Sequence, residues 1–252
     1  MAITNAPELS IILPAYEEAS NLECLLPKLH DLVGKLTPRY ELLVIDTVTP
    51  KDNTPTICGQ YNARYLARAG GELYGDAIRT AVRHAAGEYV VLMDADGSHN
   101  PSYLSEMWSH RTTSDLVIAS RYVSGGKTEN PALLIFMSLA VNVVFRLALG
   151  LKCYDVSNSF RLYRGADFRA LQLSCNHFDI VEEILVKLIT ARPDYRIKEI
   201  PFYFEKRKLG KTKRNLFTFV LGYVVTLLRL MRLKRAAVKQ QAAKGADSPA
   251  DD

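Results

Sequence analysis

Short apolar runs alternate with helix-length amphipathic stretches through the first half of this chain, and few architectures accommodate that pattern. Leu9 to Leu13, Glu41 to Ile45, Tyr89 to Met93 and Leu116 to Ala119 read as buried strands bounded by polar or turn residues. Ser20-Asn21-Leu22-Glu23 is a capping-box pattern that predicts a helix from an N-cap at Ser20 to about Val33. Gly75 to Ala86 and Pro101 to His110 predict two more helices. Strand, helix, strand repeated in this way implies an α/β fold, with a mostly parallel sheet and helices on both faces. Ligands of such sheets sit beyond the C-terminal strand ends. Those ends carry Pro14-Ala15-Tyr16-Glu17-Glu18, Asp46, Asp94-Ala95-Asp96 and Ser120-Arg121, so acidic and basic groups are expected to converge at one edge.

At 252 residues the chain is long enough for one sizeable domain and a C-terminal appendage. Its net charge of +5 is too mild to argue for nucleic acid, and much of the excess lies in Lys206 to Arg214 and Arg229 to Lys239. Cys24, Cys58, Cys153 and Cys175 have neither paired nor metal-finger spacing, and are expected as reduced thiols of a cytosolic protein. Met1 to Glu8 lacks the basic start and apolar core of a signal peptide. No uninterrupted apolar run reaches the length of about 18 residues that would predict a membrane span.

Two apolar segments break the alternation. Pro131 to Gly150 is interrupted only by Ser138, Asn142 and Arg146, whose spacing of four places them on one narrow helical stripe. Asn215 to Leu233 carries Thr218, Gly222, Thr226 and Arg229 along one face, and Arg229, Arg232, Lys234 and Arg235 overlap and follow its end. A helix apolar nearly all round is either buried or lies in a lipid interface, and periodicity does not separate the two. The trailing cations favour an anionic leaflet for the second segment. From Gln241 onward the residues are small, polar and acidic, and a disordered tail is expected.

Asp94 and Asp96 follow a strand with no room for charge. Two carboxylates one residue apart at the mouth of a sheet suit Mg²⁺ or Mn²⁺, which would neutralise a pyrophosphate and a departing nucleoside diphosphate. The D-x-D pattern alone is weak, and its setting before Gly97-Ser98-His99-Asn100-Pro101 strengthens it.

With these residues in view, the chain resembles family 2 inverting glycosyltransferases of the GT-A fold, most of all dolichyl- and polyprenyl-phosphate mannosyltransferases. Pro14-Ala15-Tyr16-Glu17-Glu18 is similar to P-T-Y-N-E, and Asp94 to Pro101 to D-A-D-x-S-H-x-P. Ser120-Arg121-Tyr122 with Gly125-Gly126 resembles S-R-Y-x-x-G-G, Phe160-Arg161-Leu162-Tyr163 resembles G-F-R-x-Y, and Arg207 through Gly210 to Lys213 resembles R-x-x-G-x-S-K. The resemblance implies a GT-A domain over residues 1–213 that includes an apolar interfacial helix at 131–150. A basic amphipathic membrane-associating helix at 214–240 and a tail at 241–252 would follow.

The resemblance also implies roles. Pro14, Tyr16, Glu18, Ile45 and Asp46 would hold the nucleoside; Asp94, Ala95, Asp96 and Ser98 would surround the diphosphate and its metal, with Asp94, Asp96 and Ser98 as ligands. Asp96 and Arg121 would be the catalytic pair, Arg121 and Ser138 would meet the acceptor phosphate, and Arg207 and Lys213 would close over the diphosphate. A lipid phosphate is already ionised near neutral pH, so positioning and charge neutralisation would replace a general base. The implied activity is hexosyl transfer to a polyprenyl phosphate by a protein peripheral on the cytoplasmic face of the membrane, with mannose from GDP-mannose the donor that the S-H-x-P form of the motif favours. A membrane subunit or a homo-oligomer is compatible with this.

Several positions depart from the pattern. Thr47 stands where a second acid follows Asp46, Leu139 where an arginine would meet acceptor phosphate, and Ser159 where a glycine precedes Phe160; the segment Ala69 to Gly75 is altered. Arg146 or Arg161 could compensate for Leu139. Two other functions remain open: a family 2 transferase extending a surface saccharide, with Asp179, Glu182 or Glu183 as base, and a non-catalytic nucleotide-binding protein. His99 is expected in a loop or structural role. A dinucleotide-binding oxidoreductase is set aside, because Pro14-Ala15-Tyr16 occupies the turn where G-x-G-x-x-G would lie.

Overall fold

A computed structural model describes residues 6–205 and 216–246, including the side chains of 222–237 in the last helix. The expected strands are present as β1 (Leu9–Pro14), β2 (Tyr40–Asp46), β4 (Tyr89–Leu92) and β5 (Leu116–Ser120), with β3 (Arg64–Ala67), β6 (Lys127–Thr128), β7 (Arg161–Arg164), β8 (Ile197–Pro201) and β9 (Tyr203–Phe204) in addition. The helices are α1 (Ala19–Leu36), α2 (Thr54–Gln60), α3 (Tyr74–His84), α4 (Tyr103–Ser109), α5 (Ala132–Leu149), α6 (Gly165–Arg169), α7 (Ile180–Ala191) and α8 (Leu216–Ala246).

The main sheet runs β3-β2-β1-β4-β7-β5-β8, and only β7 lies antiparallel to its neighbours. The expected α/β architecture is therefore present. Alternate residues of each strand enter two cores. Leu9, Ile11, Leu13, Val44 and Val91 pack with α1, α2 and α4, whereas Ile12, Ile45, Leu92 and Ile118 pack with α3, α5 and α7. The chain moves outward from β1 to β3, then returns to β4 on the other side of β1. The crevice beyond the C-terminal ends of β1 and β4 is thus the topological switch point where such sheets take ligands.

Helix α1 begins before Ser20, which lies inside it rather than at its N-cap. The reason is distant in sequence: Asp52 Oδ2 accepts the Ala19 N–H at 2.8 Å, so the first turn is satisfied without a serine cap. Helix α5 ends at Gly150, whose φ of +57° is the left-handed conformation that closes a helix at low cost for glycine. Lys234 of α8 donates to the Leu149 carbonyl at that end, where a cation is favoured.

Helix α5 is long and apolar enough by length and composition to cross a membrane. Its buried side chains are Asn142, Phe145 and Leu149, so its polar stripe faces the domain. Helix α8 packs beside it through Tyr223 and Phe145, with ring centroids 5.7 Å apart. It continues through 241–246, where a disordered tail was expected. The outward faces of the two helices carry Leu133, Phe136, Val143, Leu147, Val224 and Leu228, all exposed.

Candidate active site

At the end of β4, the Met93 N–H donates to the Ile12 carbonyl at 3.1 Å, carrying the sheet to the edge of the Asp94-Ala95-Asp96 motif. The Asp94 N–H then donates to His99 Nδ1 at 2.9 Å. His99 is buried and stacked on Phe160, with centroids 4.9 Å apart and planes 10° apart, and Phe202 meets it edge-on. Because Nδ1 accepts, the ring proton sits on Nε2, and burial holds the imidazole pKa down against the nearby aspartates. His99 is a neutral back wall that fixes Asp94, in keeping with its expected structural role.

Both carboxylates of the motif are oriented by serines. Ser159 Oγ donates to Asp94 Oδ1 at 3.0 Å. The Ser98 N–H and Oγ–H both reach Asp96 Oδ1, at 3.0 and 2.6 Å, around a turn made possible by Gly97 at φ +80°. Ser98 was expected to be a metal ligand. It is buried and directs its donors at Asp96, so what the structure gives it is the orientation of that carboxylate. Ala95 is buried and supplies no polar group from its side chain. Among the described residues, no group of three or more His, Cys, Asp or Glu side chains forms a cage for an ion. Two carboxylates nevertheless fit Mg²⁺ or Mn²⁺, which keep waters and take further ligands from substrate phosphates. Asp94 and Asp96 would hold such an ion.

The ends of β1 and β2 form a second corner. Pro14 closes β1, and the Ala15 N–H donates to the Ile45 carbonyl at 2.9 Å. The Ile45 side chain lies wholly in the core, so this residue forms the floor and offers no side-chain contact to a nucleoside. Tyr16 is partly exposed; Lys51 Nζ donates to its hydroxyl at 2.9 Å and lies 4.6 Å from its ring centroid. Glu18 is buried and accepts from Asn21 Nδ2 at 2.5 Å. Asp46 is fully buried, burial raises its pKa, and Oδ2 has no hydrogen-bond partner among the described residues. Beneath it lies Arg68, whose Nη2 donates to the Ala15 carbonyl and Nη1 to the Glu72 carbonyl, each at 2.5 Å. Sequence inspection missed Arg68, because nothing local marks a cation buried beneath a strand end.

The third corner lies at the end of β5. Arg121 Nε and Nη2 donate to Asp155 Oδ2 and Oδ1 at 2.8 and 2.7 Å, and Nη2 also reaches Ser157 Oγ at 2.9 Å. Asp155 is fully buried. Burial alone would raise its pKa, but the Arg121 charge and hydrogen bonds bring it below the ordinary value. Arg121 was expected to bind the acceptor phosphate. Most of its fork is held by Asp155, leaving Nη1 without a hydrogen bond among the described residues. The α5 stripe reaches the same place: Asn142 Nδ2 donates to the Ser138 carbonyl at 2.8 Å and lies 3.4 Å from Ser157 Oγ, while Asn142 Oδ1 accepts the Val156 N–H at 2.6 Å. Leu139 is 39% exposed, off this stripe. Arg161 cannot replace a cation there, being fully buried and donating to the Val156 and Val181 carbonyls. Arg146 lies 4.8 Å from the Tyr154 ring centroid. Arg207 and Lys213 lie outside the described residues.

The sequence model described as Glycosyl transferase family 2 matches residues 10–185. The chain belongs to glycosyltransferase family 2. An undecaprenyl-phosphate mannosyltransferase of Micrococcus luteus is 33% identical over 218 residues, covering 81% of this chain and 86% of that protein. A dolichol-phosphate mannosyltransferase of Pyrococcus furiosus is 29% identical over 233 residues, covering 89% of this chain and 64% of that longer protein. The fold is shared with glucosyl-3-phosphoglycerate synthase from Mycobacterium tuberculosis solved with Mn²⁺, UDP and phosphoglyceric acid. That match has a TM-score of 0.68 at 17% identity and covers 89% of this chain and 78% of that one.

A glycosyltransferase of this family acting on a neutral hydroxyl would need a base, and the three acids considered for it are differently placed. Glu183 accepts from Ser174 and Cys175 and pairs with Lys187 at 2.8 Å, so it braces a loop. Glu182 is buried, neither of its oxygens has a hydrogen-bond partner among the described residues, and burial pushes its pKa up to about 8. Asp179 accepts from the His177 N–H and from Thr226 Oγ1 of α8, at 3.0 and 2.9 Å. None is an unengaged, solvent-facing carboxylate.

Proposed function

We propose that this family 2 enzyme transfers a hexosyl group from a sugar nucleotide to a polyprenyl phosphate, with inversion, at the cytoplasmic surface of a membrane. The observation that carries this is the reversed polarity of α5. Its Ser138–Asn142 stripe joins the Arg121 corner, while its outward face is apolar. A phosphate entering beside Arg121 would thus leave its isoprenoid chain along a greasy surface. Both mannosyltransferase relatives are named for lipid phosphate acceptors, which supports the same class here.

In this mechanism the nucleoside lies against Tyr16, above the buried floor at Asp46, and the diphosphate reaches Asp94 and Asp96. A bound divalent ion would supply charge neutralisation of the departing diphosphate. The acceptor's ionised oxygen attacks the anomeric carbon from the face opposite that leaving group, with no proton to remove. Arg121 Nη1 orients the acceptor phosphate, and Ser138 lines its approach. Mannose from GDP-mannose is the donor we favour. The test is incubation of purified protein with Mn²⁺, labelled sugar nucleotides and polyprenyl phosphate in vesicles. The expected product is a mild-acid-labile lipid-linked sugar; absence of that product with every donor refutes the proposal.

A further inference from the structure

Thr47 leaves the turn after β2 without a second acid, and the fold brings a carboxylate to that turn from elsewhere. Glu72, between β3 and α3, accepts the Val48 N–H with Oε1 and Oε2, both at 3.2 Å. Its backbone is held by the buried Arg68, which also binds the Ala15 carbonyl, so the ends of β1 and β3 are tied together behind it. Gly70 and Gly71, at φ +101° and +155°, let the chain double back to this position; a Cβ on Gly71 would meet Asp76 Oδ2 at 2.7 Å. Thr47 is itself buried, and its hydroxyl donates to the Thr49 carbonyl at 2.7 Å. The corner therefore has a buried floor at Asp46 and a rim of Val48, Tyr16 and Lys51; Glu17 and Glu72 are exposed carboxylates beside it, and of the two Glu72 is the one bonded to the Val48 N–H of the turn after β2. Lys51 stands near enough to Tyr16, Glu72 and Glu17 for all three to raise its pKa.

We infer that Glu72 recognises the ribose of the donor, accepting hydrogen bonds from its vicinal 2′- and 3′-hydroxyls in place of the acid missing at Thr47. This rests on the sugar-nucleotide function proposed above. A carboxylate offers about four lone-pair positions, and one N–H shared between its oxygens leaves acceptor capacity for a diol. Parallel-sheet nucleotide sites use an acidic side chain in this way, and hydrogen bonds to an ionised acceptor are the stronger kind. Exposure of Glu72 suits a partner that arrives from solvent.

The experiment is calorimetric titration, in the presence of Mn²⁺, of UDP and GDP and of their 2′,3′-dideoxy counterparts into wild type and Glu72→Gln. Wild type is expected to prefer the ribonucleotide about tenfold, the scale of one charge-assisted hydrogen bond. Glu72→Gln is expected to lose that preference while its affinity for the dideoxy ligand and its melting temperature stay unchanged. Equal weakening of both ligands would mean that Glu72 only braces the Val48 turn, and would overturn the inference, as would an unaltered ribose preference. Wild type that binds no nucleotide would instead overturn the donor function, and this inference with it.

Discussion

The Arg121–Asp155 pair makes a quantitative demand. Asp155 is fully buried, and its carboxylate receives the Arg121 side chain through two of its nitrogens as well as the Arg121 N–H at 2.9 Å. Removing one partner of such a pair leaves a buried charge uncompensated, at a cost of about 3–5 kcal/mol. Replacing both by uncharged groups of similar volume is close to neutral. Arg121→Met and Asp155→Asn should therefore each destabilise by about 3 kcal/mol and the double variant by only about 1 kcal/mol, a coupling of about 5 kcal/mol. In a chain of this size each single change corresponds to a drop of roughly 6–12 °C in melting temperature.

Urea titrations of the four proteins of this cycle, followed by far-ultraviolet circular dichroism, measure the coupling. Lipid-linked sugar formation is assayed in parallel. The double variant should recover much of its stability and none of its activity, because no cation then meets the acceptor. A coupling below about 0.5 kcal/mol would show that the two side chains act independently. Full activity in Arg121→Met would refute the place given to Nη1.

Three further outcomes follow from the same packing. Glu182 has a pKa near 8 when folded against 4.5 for the ordinary group, so the native state binds the extra proton and stability falls as pH rises between those values. Glu182→Gln should stabilise the protein by about 3 kcal/mol at pH 7, and the difference should vanish near pH 4; a pH-independent difference in chemical denaturation would contradict this. Asp115 behaves oppositely: despite burial, Arg196 hydrogen bonds and the charges of Arg164 and Arg192 hold it at about 2. Its stabilising contribution of about 2 kcal/mol is present above pH 3.8 and lost as pH falls through 2, so Asp115→Asn should flatten the acid limb of a denaturation profile. Phe136→Glu with Leu147→Glu should abolish flotation with anionic vesicles while leaving the melting temperature within about 1 °C, since both side chains are exposed.

What could be read from sequence, and what could not, divides by range of interaction. Strands β1, β2, β4 and β5 are buried on both faces and announce themselves as apolar runs. Strand β7 does not, because it begins at Arg161, a fully buried cation satisfied by the Val156 and Val181 carbonyls. Strand β8 is an edge element whose Ile197-Lys198-Glu199-Ile200 sequence mixes charge with apolar positions. The Asp94-Ala95-Asp96 corner was readable because Asp94, Asp96 and Ser98 are neighbours in the chain. Arg68 with Ala15, Arg121 with Asp155 and Glu72 with Val48 are long-range pairs, and no local pattern records them. The pattern at Ser20 signalled a helix correctly but not its first residue, since Asp52 supplies the cap.

Helix α5 illustrates what periodicity alone leaves undecided. A polar stripe on a greasy helix is equally consistent with a stripe turned to water and a stripe turned inward, and the two arrangements expose opposite surfaces. Here Asn142 is buried and bonded to the Val156 N–H, so the stripe is inward and the wide apolar face is outward. Phe136 and Leu147 are 71% and 72% exposed, and leaving a Phe or Leu side chain in water forfeits about 1.5–3 kcal/mol of burial. With Leu133, Val143 and Val144 beside them, and Val224, Val225 and Leu228 on α8, they form an apolar surface larger than water rewards. Arg232 and Arg235 are exposed one to two turns further along α8, which in the proposed membrane-bound state would set them against anionic headgroups with the apolar face in the leaflet. The same rotation that turns Asn142 toward Ser157 and Arg121 therefore turns Phe136 and Leu147 outward, so in the function proposed above the acceptor face and the membrane face are two sides of one helix.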